Sequence, residues 1–211
     1  MAESGSGRAA GRRGPRDDRA LLVAAVSKVA AERGYSRLTV DRVVRCAGVS
    51  RATFEEHFES REQGLIAAQD AFLERLWQDV SAACEAAGAA WPQKVRATLA
   101  AVLGALVEAS DLARVFAIEG IAASLALAER QHEMLDRFAA LLREGRRLYP
   151  AAASLPETME RALVGGIASI VTRQLLAEEP QAIDKLEPEL VELVLIPYLG
   201  DEAARRVAVA T

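Results

Sequence analysis

The sequence predicts an all-α protein, and three observations support that class. Ala and Leu, both strong helix formers, dominate the 211 residues, and apolar residues make up 51%, which is ample for a core. Apolar residues recur at helical spacing over long segments. Most of the seven prolines fall between apolar segments, where they bound helices instead of interrupting them. We expect about nine helices, three short ones at the front and a larger helical bundle behind.

Capping and breaking residues set the expected bounds of these helices. Gly34 supplies a stop for the first helix, and Thr39 is a good N-cap for a short second one. Gly48 breaks the second helix, and Ser50 can cap a third. The letters SREQ, which open the fourth helix at Ser60, fit a capping box. In order, the expected helices cover about 17–33, 39–47, 50–58, 60–87, 92–109, 111–123 with Asp111 as its cap, 124–149, 156–178 and 187–199.

Charge is distributed unevenly along the chain. Residues 1–53 contain 11 Arg and Lys against 5 Asp and Glu, whereas residues 63–211 contain 14 against 21. A basic head on an acidic body indicates that one end meets a polyanion. The alternative is that this asymmetry reflects only an Arg-rich disordered tail and chance. Residues 1–16 have the composition of a disordered basic arm, and its arginines either bind phosphates and the minor groove or only solubilise the chain; they are Arg8, Arg12, Arg13 and Arg16.

Several classes of protein are disfavoured. No apolar run reaches the roughly 18–20 residues that span a bilayer, and the N-terminus lacks the apolar stretch of a signal peptide, so we expect no membrane partner. Two cysteines, Cys46 and Cys84, provide no disulfide framework, which favours a reducing cytoplasm. The two histidines, His57 and His132, lie far apart, and the chain has no Gly-rich phosphate loop, metal-ligand spacing or serine elbow. We therefore expect no enzyme, no metal and no cofactor.

The second and third helices have the lengths and the glycine-containing turn of a helix-turn-helix, whose second helix enters the major groove. The segment LTVDRVVRCAGVSRATFEEHFESRE resembles the DNA-binding segment of the TetR family of bacterial transcriptional regulators. The matching features are Thr39, AGVS at the turn, T-F-x-x-H-F in the third helix, and Ser60-Arg61-Glu62. The resemblance is specific over residues 17–75; ERALVGGIASIV and ELVELVLIPYLG look like the last two helices of many members.

The resemblance implies a homodimer in which each subunit has two parts. Residues 17–62 would form the helix-turn-helix DNA-binding domain, and residues 63–211 the effector-binding and dimerisation domain. A small-molecule effector in the body would shift the two heads apart and release a palindromic operator in double-stranded DNA. Repression is the commoner outcome in the family.

Arg51 is the strongest candidate for reading bases, because it follows the cap of the third helix and Arg can bind guanine O6 and N7. Ala52 could pack on a thymine methyl group, and Thr53 could contact a base or a phosphate. The alternative for Arg51 is a solvated surface arginine. The remaining candidates are hydroxyls and charges placed to meet phosphates, namely Thr39, Arg42, Arg45, Ser50, His57 and Arg61.

Two carboxylates complicate this DNA-binding face. The family often has Tyr where this chain has Glu55. A carboxylate there would repel the phosphate backbone of DNA unless Arg51, four residues earlier, neutralises it. Glu55 is expected to be solvated, and Glu56 either contacts the N4 group of cytosine or faces solvent. The acids therefore weaken nonspecific affinity without excluding DNA binding.

The effector pocket implied by the resemblance lies among the fourth to seventh helices. Its candidate lining is mostly apolar, which favours a hydrophobic or amphipathic molecule, although the pattern favours ordinary core over ligand contact for each residue taken singly. Glu119 and His132 could fix a polar group. The candidates are Trp77, Cys84, Val102, Leu106, Phe116, Glu119, Ile121, Leu125, Met134 and Phe138.

Gly165 and Gly166 lie in the middle of a predicted helix, where each costs about 1 kcal/mol relative to Ala. Close approach of another helix would offset that cost. We hypothesise that 157–177 and 187–199 form a four-helix dimer interface with their mates, through Gly165, Gly166, Ile170, Leu190, Leu193 and Val194.

Two alternatives remain open. In the first, the chain is a helical small-molecule- or protein-binding module that has lost DNA binding, with Glu55 and Glu56 as the signs. In the second, Cys46 is a thiol sensor whose pKa neighbouring basic residues would lower if it is exposed. The competing interpretation of Cys46 is a buried cysteine with a purely structural role.

Overall fold

The computed structural model describes residues 15–177 and 181–210, and the expected all-α class is confirmed there: those residues form helices and turns without a strand. No helix in these ranges is both long and apolar enough to cross a membrane. The main helices are α1 Pro15–Arg33, α2 Val40–Ala47, α3 Arg51–His57, α4 Arg61–Ala86, α5 Trp91–Glu108, α6 110–123, α7 Leu125–Leu148, α8 Met159–Leu176, α9 Glu187–Leu199 and α10 Asp201–Val209. Shorter turns of helix are Tyr35–Arg37, Pro150–Ser154 and Gln181–Asp184.

Helix α1 begins two residues earlier than expected. Pro15 is its first residue, and Asp17 and Asp18 lie in the first turn. Proline is preorganised for the first helical position, and carboxylates there interact favourably with the positive end of the helix dipole. Residues 15 and 16 therefore belong to the helix and not to the basic arm. The other arginines of that arm lie outside the described residues.

The front helices share one hydrophobic core that also reaches into the body. Leu22 and Val26 of α1 pack with Phe54 of α3 and Leu65 of α4. Val115, Phe116 and Leu127, from α6 and α7, belong to the same cluster of buried residues. The three-helix head is thus packed directly onto the part of the body where α6 ends and α7 begins.

Side-chain caps fix the beginnings of four helices. Thr39, Ser50 and Ser60 accept hydrogen bonds from the backbone N–H three residues later, as expected, and Ser124 does the same for α7. At Ser60 the return bond differs from a capping box. The side-chain oxygen of Gln63 accepts from the N–H of Glu59, at 3.0 Å, one residue before the cap.

Helix α6 corrects the expected role of Asp111. It begins at Ser110, with only Ala109 between it and α5, and no side chain caps it. Asp111 lies inside the first turn instead, because no Gly or Pro separates the two helices. Residues Val115–Gly120 of α6 form a π-helix, between α-helical turns at Ser110–Arg114 and Ile121–Ala123.

The C-terminal end also differs from expectation. Helix α8 begins at Met159, three residues after Pro156. Gly200, at φ 76°, ends α9 as expected, but α10 follows it at once. Ala204 and Ala208, four residues apart, are buried against the body. That small apolar stripe was the signal in the sequence for a tenth helix.

A buried ionic network ties α7, α8 and α9 together. The Glu160 carboxylate, with its side chain fully buried, accepts hydrogen bonds from Arg146, at 2.6 and 2.9 Å, and from the Tyr198 hydroxyl, at 3.0 Å. Arg146 also donates to the carbonyl oxygens of Leu155 and Pro156. Every partner of the buried charge is therefore polar, which is the condition for such a charge to be tolerated.

Candidate DNA-binding surface and effector cavity

Helices α2 and α3 form a helix-turn-helix, and the turn follows from Gly48. This glycine has φ 68°, a left-handed conformation that L side chains rarely adopt. The N–H of Val49 donates to the carbonyl oxygen of Val44, at 3.1 Å, in the six-to-one pattern that closes a Schellman motif. Thr39 caps the beginning of α2, and Ser50, just after the turn, caps the beginning of α3.

Helix α3 has one buried face and one exposed face. Phe54 and Phe58 are buried, with ring centroids 5.5 Å apart, and they hold the helix on α1 and α4. Arg51, Ala52 and Glu56 are exposed. The other candidates on this face, Thr53 and His57, are half-buried, so the helix presents its N-terminal end outward.

Arg51 lies between two carboxylates. Its Nε donates to Glu55, at 2.9 Å, and its Nη1 donates to Asp41 of α2, at 3.3 Å. The hydrogen bond with Glu55, together with the charges of Glu55 and Asp41, raises the pKa of Arg51 above its already high ordinary value. The expected neutralisation of Glu55 by Arg51 is therefore present in the structure. All three side chains are largely exposed, so these pairs stabilise the free protein little.

The other basic candidates differ in how freely they can reach a phosphate. Arg45 is exposed on α2, whereas Arg42 donates to the carbonyl oxygen of Arg37, at 2.7 Å. Arg61 is half-buried; it donates to the carbonyl oxygen of Leu38, at 2.8 Å, and lies over the Tyr35 ring. Arg61 thus holds the connection between α1 and α2.

Cys46 is exposed on α2, which contradicts the expectation of a buried structural cysteine. It follows Arg45 on the outer side of that helix, while Val43 supplies the buried contact. The exposure leaves the thiol-sensor hypothesis open.

The body encloses a cavity of about 340 Å³, within the range of small-molecule sites. Helices α4 to α8 and Val194 of α9 line it, and most of the lining side chains are apolar. Six of the ten effector candidates lie there: Cys84, Val102, Leu106, Phe116, Met134 and Phe138.

The other four candidates lie elsewhere. Trp77 stacks on Phe138, at 4.6 Å between centroids, and lines a shallow outer groove. Leu125 is 76% exposed, because the first turn of α7 leaves its side chain outside the bundle. Ile121 does not reach the cavity, and Glu119 faces the head. His132, the other suggested polar group, is exposed.

Glu119 is one of the contacts that join the head to the body. Its carboxylate accepts a hydrogen bond from the backbone N–H of Tyr35, at 2.7 Å, across the connection that follows α1. Ser124, at the start of α7, donates to Glu62 of α4, at 2.5 Å. Phe116, which lines the cavity, packs on Phe72 of α4, with centroids 5.7 Å apart. The wall of the cavity and the base of the head are thus in contact through α4 and α6.

Gln69 was missed as a lining residue. It is buried on α4 at the cavity wall, in a stripe of Leu65, Phe72 and Leu76 with helical spacing. A polar residue in such an apolar stripe was the available signal.

The dimer candidates fall into two groups. Gly165 and Gly166 are exposed, and a Cβ added to either would meet no atom of the described residues within 4 Å. Ile170 and Leu193 are 37% and 41% exposed. Leu190 and Val194 are each 1% exposed and belong to the protein's own core, so they are corrected as interface residues. Leu193, on the same helix, lies at the edge of that buried face and stays partly exposed.

Comparison with known proteins shows which family has this sequence and architecture. A family model described as bacterial regulatory proteins, tetR family, matches residues 21–68. The HTH-type transcriptional regulator BetI of Rhizobium meliloti (strain 1021) is 33% identical over 175 residues, which cover 79% of this chain and 82% of that protein. These relatives are described as regulators of transcription and not as enzymes.

Two solved structures have the same fold at low sequence identity. The fatty acid degradation regulator FadR of Bacillus halodurans aligns with a TM-score of 0.68 at 20% identity, over 86% of this chain and 98% of that one. FadR of Bacillus subtilis, solved in complex with stearoyl-CoA, aligns with a TM-score of 0.67 at 20% identity, over the same shares.

Proposed function

This chain belongs to the TetR family of bacterial regulatory proteins, and from that membership we propose that it is a ligand-responsive repressor. It binds a palindromic operator as a homodimer, and a hydrophobic or amphipathic small molecule releases it. As a DNA-binding protein of bacterial type it acts in the cytoplasm. The single observation that supports this proposal most is the capped helix-turn-helix, with the N-terminal end of α3 exposed.

The proposed DNA contacts divide into base and phosphate contacts. Arg51 leaves its two carboxylates and reaches a guanine, because exposed ion pairs cost little to break. Ala52, Thr53 and Glu56 lie beside it on the same helix. The phosphate contacts come from groups around the two caps: Thr39, Arg42, Arg45, Ser50, His57 and Arg61.

The proposed effector site is the cavity of the body. Its apolar lining suits the hydrophobic part of a ligand. The structural neighbour from Bacillus subtilis was solved with stearoyl-CoA, which supports an amphipathic ligand. Release follows from the contacts between the cavity wall and the head. A ligand that displaces Phe116 acts on Phe72 of α4 and on the α6 segment that carries Glu119.

Footprinting on the DNA upstream of the protein's own gene tests the proposal. Wild type is compared with Arg51→Ala, and with Arg143→Ala as a matched control on the exposed face of α7. We expect a protected palindrome with wild type and with the control, at low salt and less at high salt. Arg51→Ala should bind at least about fivefold more weakly, since a bidentate base contact contributes roughly 1–3 kcal/mol.

A binding module without DNA-binding activity is the second candidate, and one observation favours it. Arg51 is already paired with Glu55 and Asp41, which partly neutralise the charge at the tip of α3. Absence of protection at either salt, on upstream DNA and on a pool of random duplexes, would favour this candidate over the repressor.

A further inference from the structure

Gln69 carries an unsatisfied polar atom at the wall of the effector cavity. The residue is 2% exposed, and within the described part of the chain its side-chain oxygen is the one buried side-chain nitrogen or oxygen without a hydrogen-bond partner. Burying such an atom unpaired destabilises a fold. A leucine or methionine would fill the same space without that penalty. The position therefore calls for a partner that no other residue of the described chain supplies.

The cavity supplies the place for that partner. Gln69 lies among its lining residues, close to Phe72 on the same helix. The terminal torsion of a glutamine is broad, so rotation about it presents either the oxygen or the NH₂ group to the cavity. The carboxamide can thus meet a ligand without moving the helix.

The charged lining residues lie at the other end of the cavity. Cys84 lies fifteen residues after Gln69, or roughly 22 Å along α4 at the rise of an α-helix. Its Sγ is 3.9 Å from the carbonyl oxygen of Lys94, and Glu144 precedes Gly145, which contacts Trp91 at the start of α5. Lys94 and Glu144 are thus remote from Gln69. The head-facing end offers a ligand a neutral amide among aromatic rings.

We propose that Gln69 is the specificity-determining residue of the effector site and binds a hydroxyl group at the buried end of an elongated apolar molecule. A hydroxyl both donates and accepts, so it pairs with the carboxamide in either orientation. An ionised group would be buried at this end without a counter-charge. This inference rests on the proposed function of the cavity as the effector site.

The test compares two probes that differ in one hydrogen-bond donor: decyl alcohol and its methyl ether. Binding to the full chain is measured by calorimetry and by the change in tryptophan fluorescence, to which Trp91 at the cavity wall contributes. Wild type should bind the alcohol about tenfold more tightly than the ether. Gln69→Met should lose that discrimination, while Gln78→Met, an exposed glutamine on the same helix, should keep it.

A second measurement separates binding from a structural role. If Gln69 serves to bind a ligand, the ligand-free Gln69→Met variant should have the same melting temperature as ligand-free wild type or a higher one, because the variant lacks the unpaired oxygen. A melting temperature lower by several degrees would mean that Gln69 supports the fold, and it would overturn the proposal. Equal binding of alcohol and ether by wild type, or no binding of either, would also overturn it.

The outcome for the operator is independent of this result. If wild type discriminates between the probes and Gln69→Met does not, Gln69 determines specificity even when the alcohol leaves the footprint unchanged. In that case the proposed release of DNA fails while the inference about Gln69 stands.

Discussion

At the tip of α3, Arg51 is held by Glu55 and Asp41 in the free protein. The i,i+4 spacing of Arg51 and Glu55 on one helix made the first pair predictable from the sequence. The second pair required the fold, since it crosses from α3 to α2. In the DNA complex that we propose, Arg51 exchanges these two weak carboxylate contacts for guanine or phosphate.

Glu55→Gln should strengthen operator binding several-fold. The change removes a carboxylate that competes for Arg51 and repels phosphates, and the lost exposed pair contributes only about 0–1 kcal/mol to stability. Fluorescence anisotropy at two salt concentrations measures the affinity, with Glu85→Gln, exposed at the far end of α4, as the control. Weaker binding by Glu55→Gln would instead indicate that this carboxylate accepts a hydrogen bond from cytosine N4.

At the scale of elements, α8 and α9 carry the features of an unpaired helical face. A Cβ added at Gly165 or Gly166 would meet no atom within 4 Å among the described residues, so no close helix contact there offsets the cost of these glycines in helix stability. Ile170 and Leu193 are partly exposed beside the buried cores of the same two helices. A second copy of the chain would cover these groups, which is the arrangement we propose for the dimer.

Gly166→Leu should convert the dimer to a monomer without unfolding it. The added side chain points into open space in one subunit, so it meets atoms only where a partner helix approaches closely. Sedimentation velocity measures the mass, and circular dichroism checks the helix content. Gly104→Leu, at an exposed glycine on α5 with equally open surroundings, is the matched control. A dimer that survived Gly166→Leu would place the interface elsewhere.

At the scale of the whole molecule, one buried carboxylate links three helices of the body. Burial opposes ionisation of Glu160, but hydrogen bonds from Arg146 and Tyr198 outweigh it, and the pKa of Glu160 lies below its ordinary value. Burial and the bond to Glu160 raise the pKa of Tyr198. The network is therefore charged on Glu160 and neutral on Tyr198 near neutral pH.

The stability of the body should decline in acid because of Glu160. A carboxylate whose pKa is lower in the folded state contributes stability above its unfolded pKa, about 4.3, and that contribution is lost as pH falls through the folded value. Glu160→Gln should flatten this dependence and, near neutral pH, lower the free energy of unfolding by roughly 1–3 kcal/mol, because Arg146 loses its carboxylate partner and keeps only the carbonyl oxygens of Leu155 and Pro156.

Urea unfolding at a series of pH values measures both effects. Glu133→Gln, at an exposed position on α7, is the control and should retain the acid dependence of wild type. If Glu160→Gln lost stability in acid as steeply as wild type, other carboxylates would be responsible for the decline.

The sequence by itself determined the helices of the head, their caps and the helix-turn-helix, because those features depend on neighbours a few residues apart. Thr39, Gly48, Ser50 and Ser60 act within one helical turn, so a pattern of letters was sufficient to place them. The resemblance that they support also indicated the family.

Only the tertiary structure decided which apolar residues face the cavity and which face the core or solvent. Helical periodicity gives each helix an apolar face, but it does not say which neighbour covers that face. From the sequence, Leu190 and Val194 were therefore assigned to the dimer interface together with Leu193. In the structure, α5 and the rest of the body bury Leu190 and Val194. The unpaired oxygen of Gln69 depends in the same way on contacts among separate helices, because a hydrogen bond is absent only once all the surrounding atoms are placed.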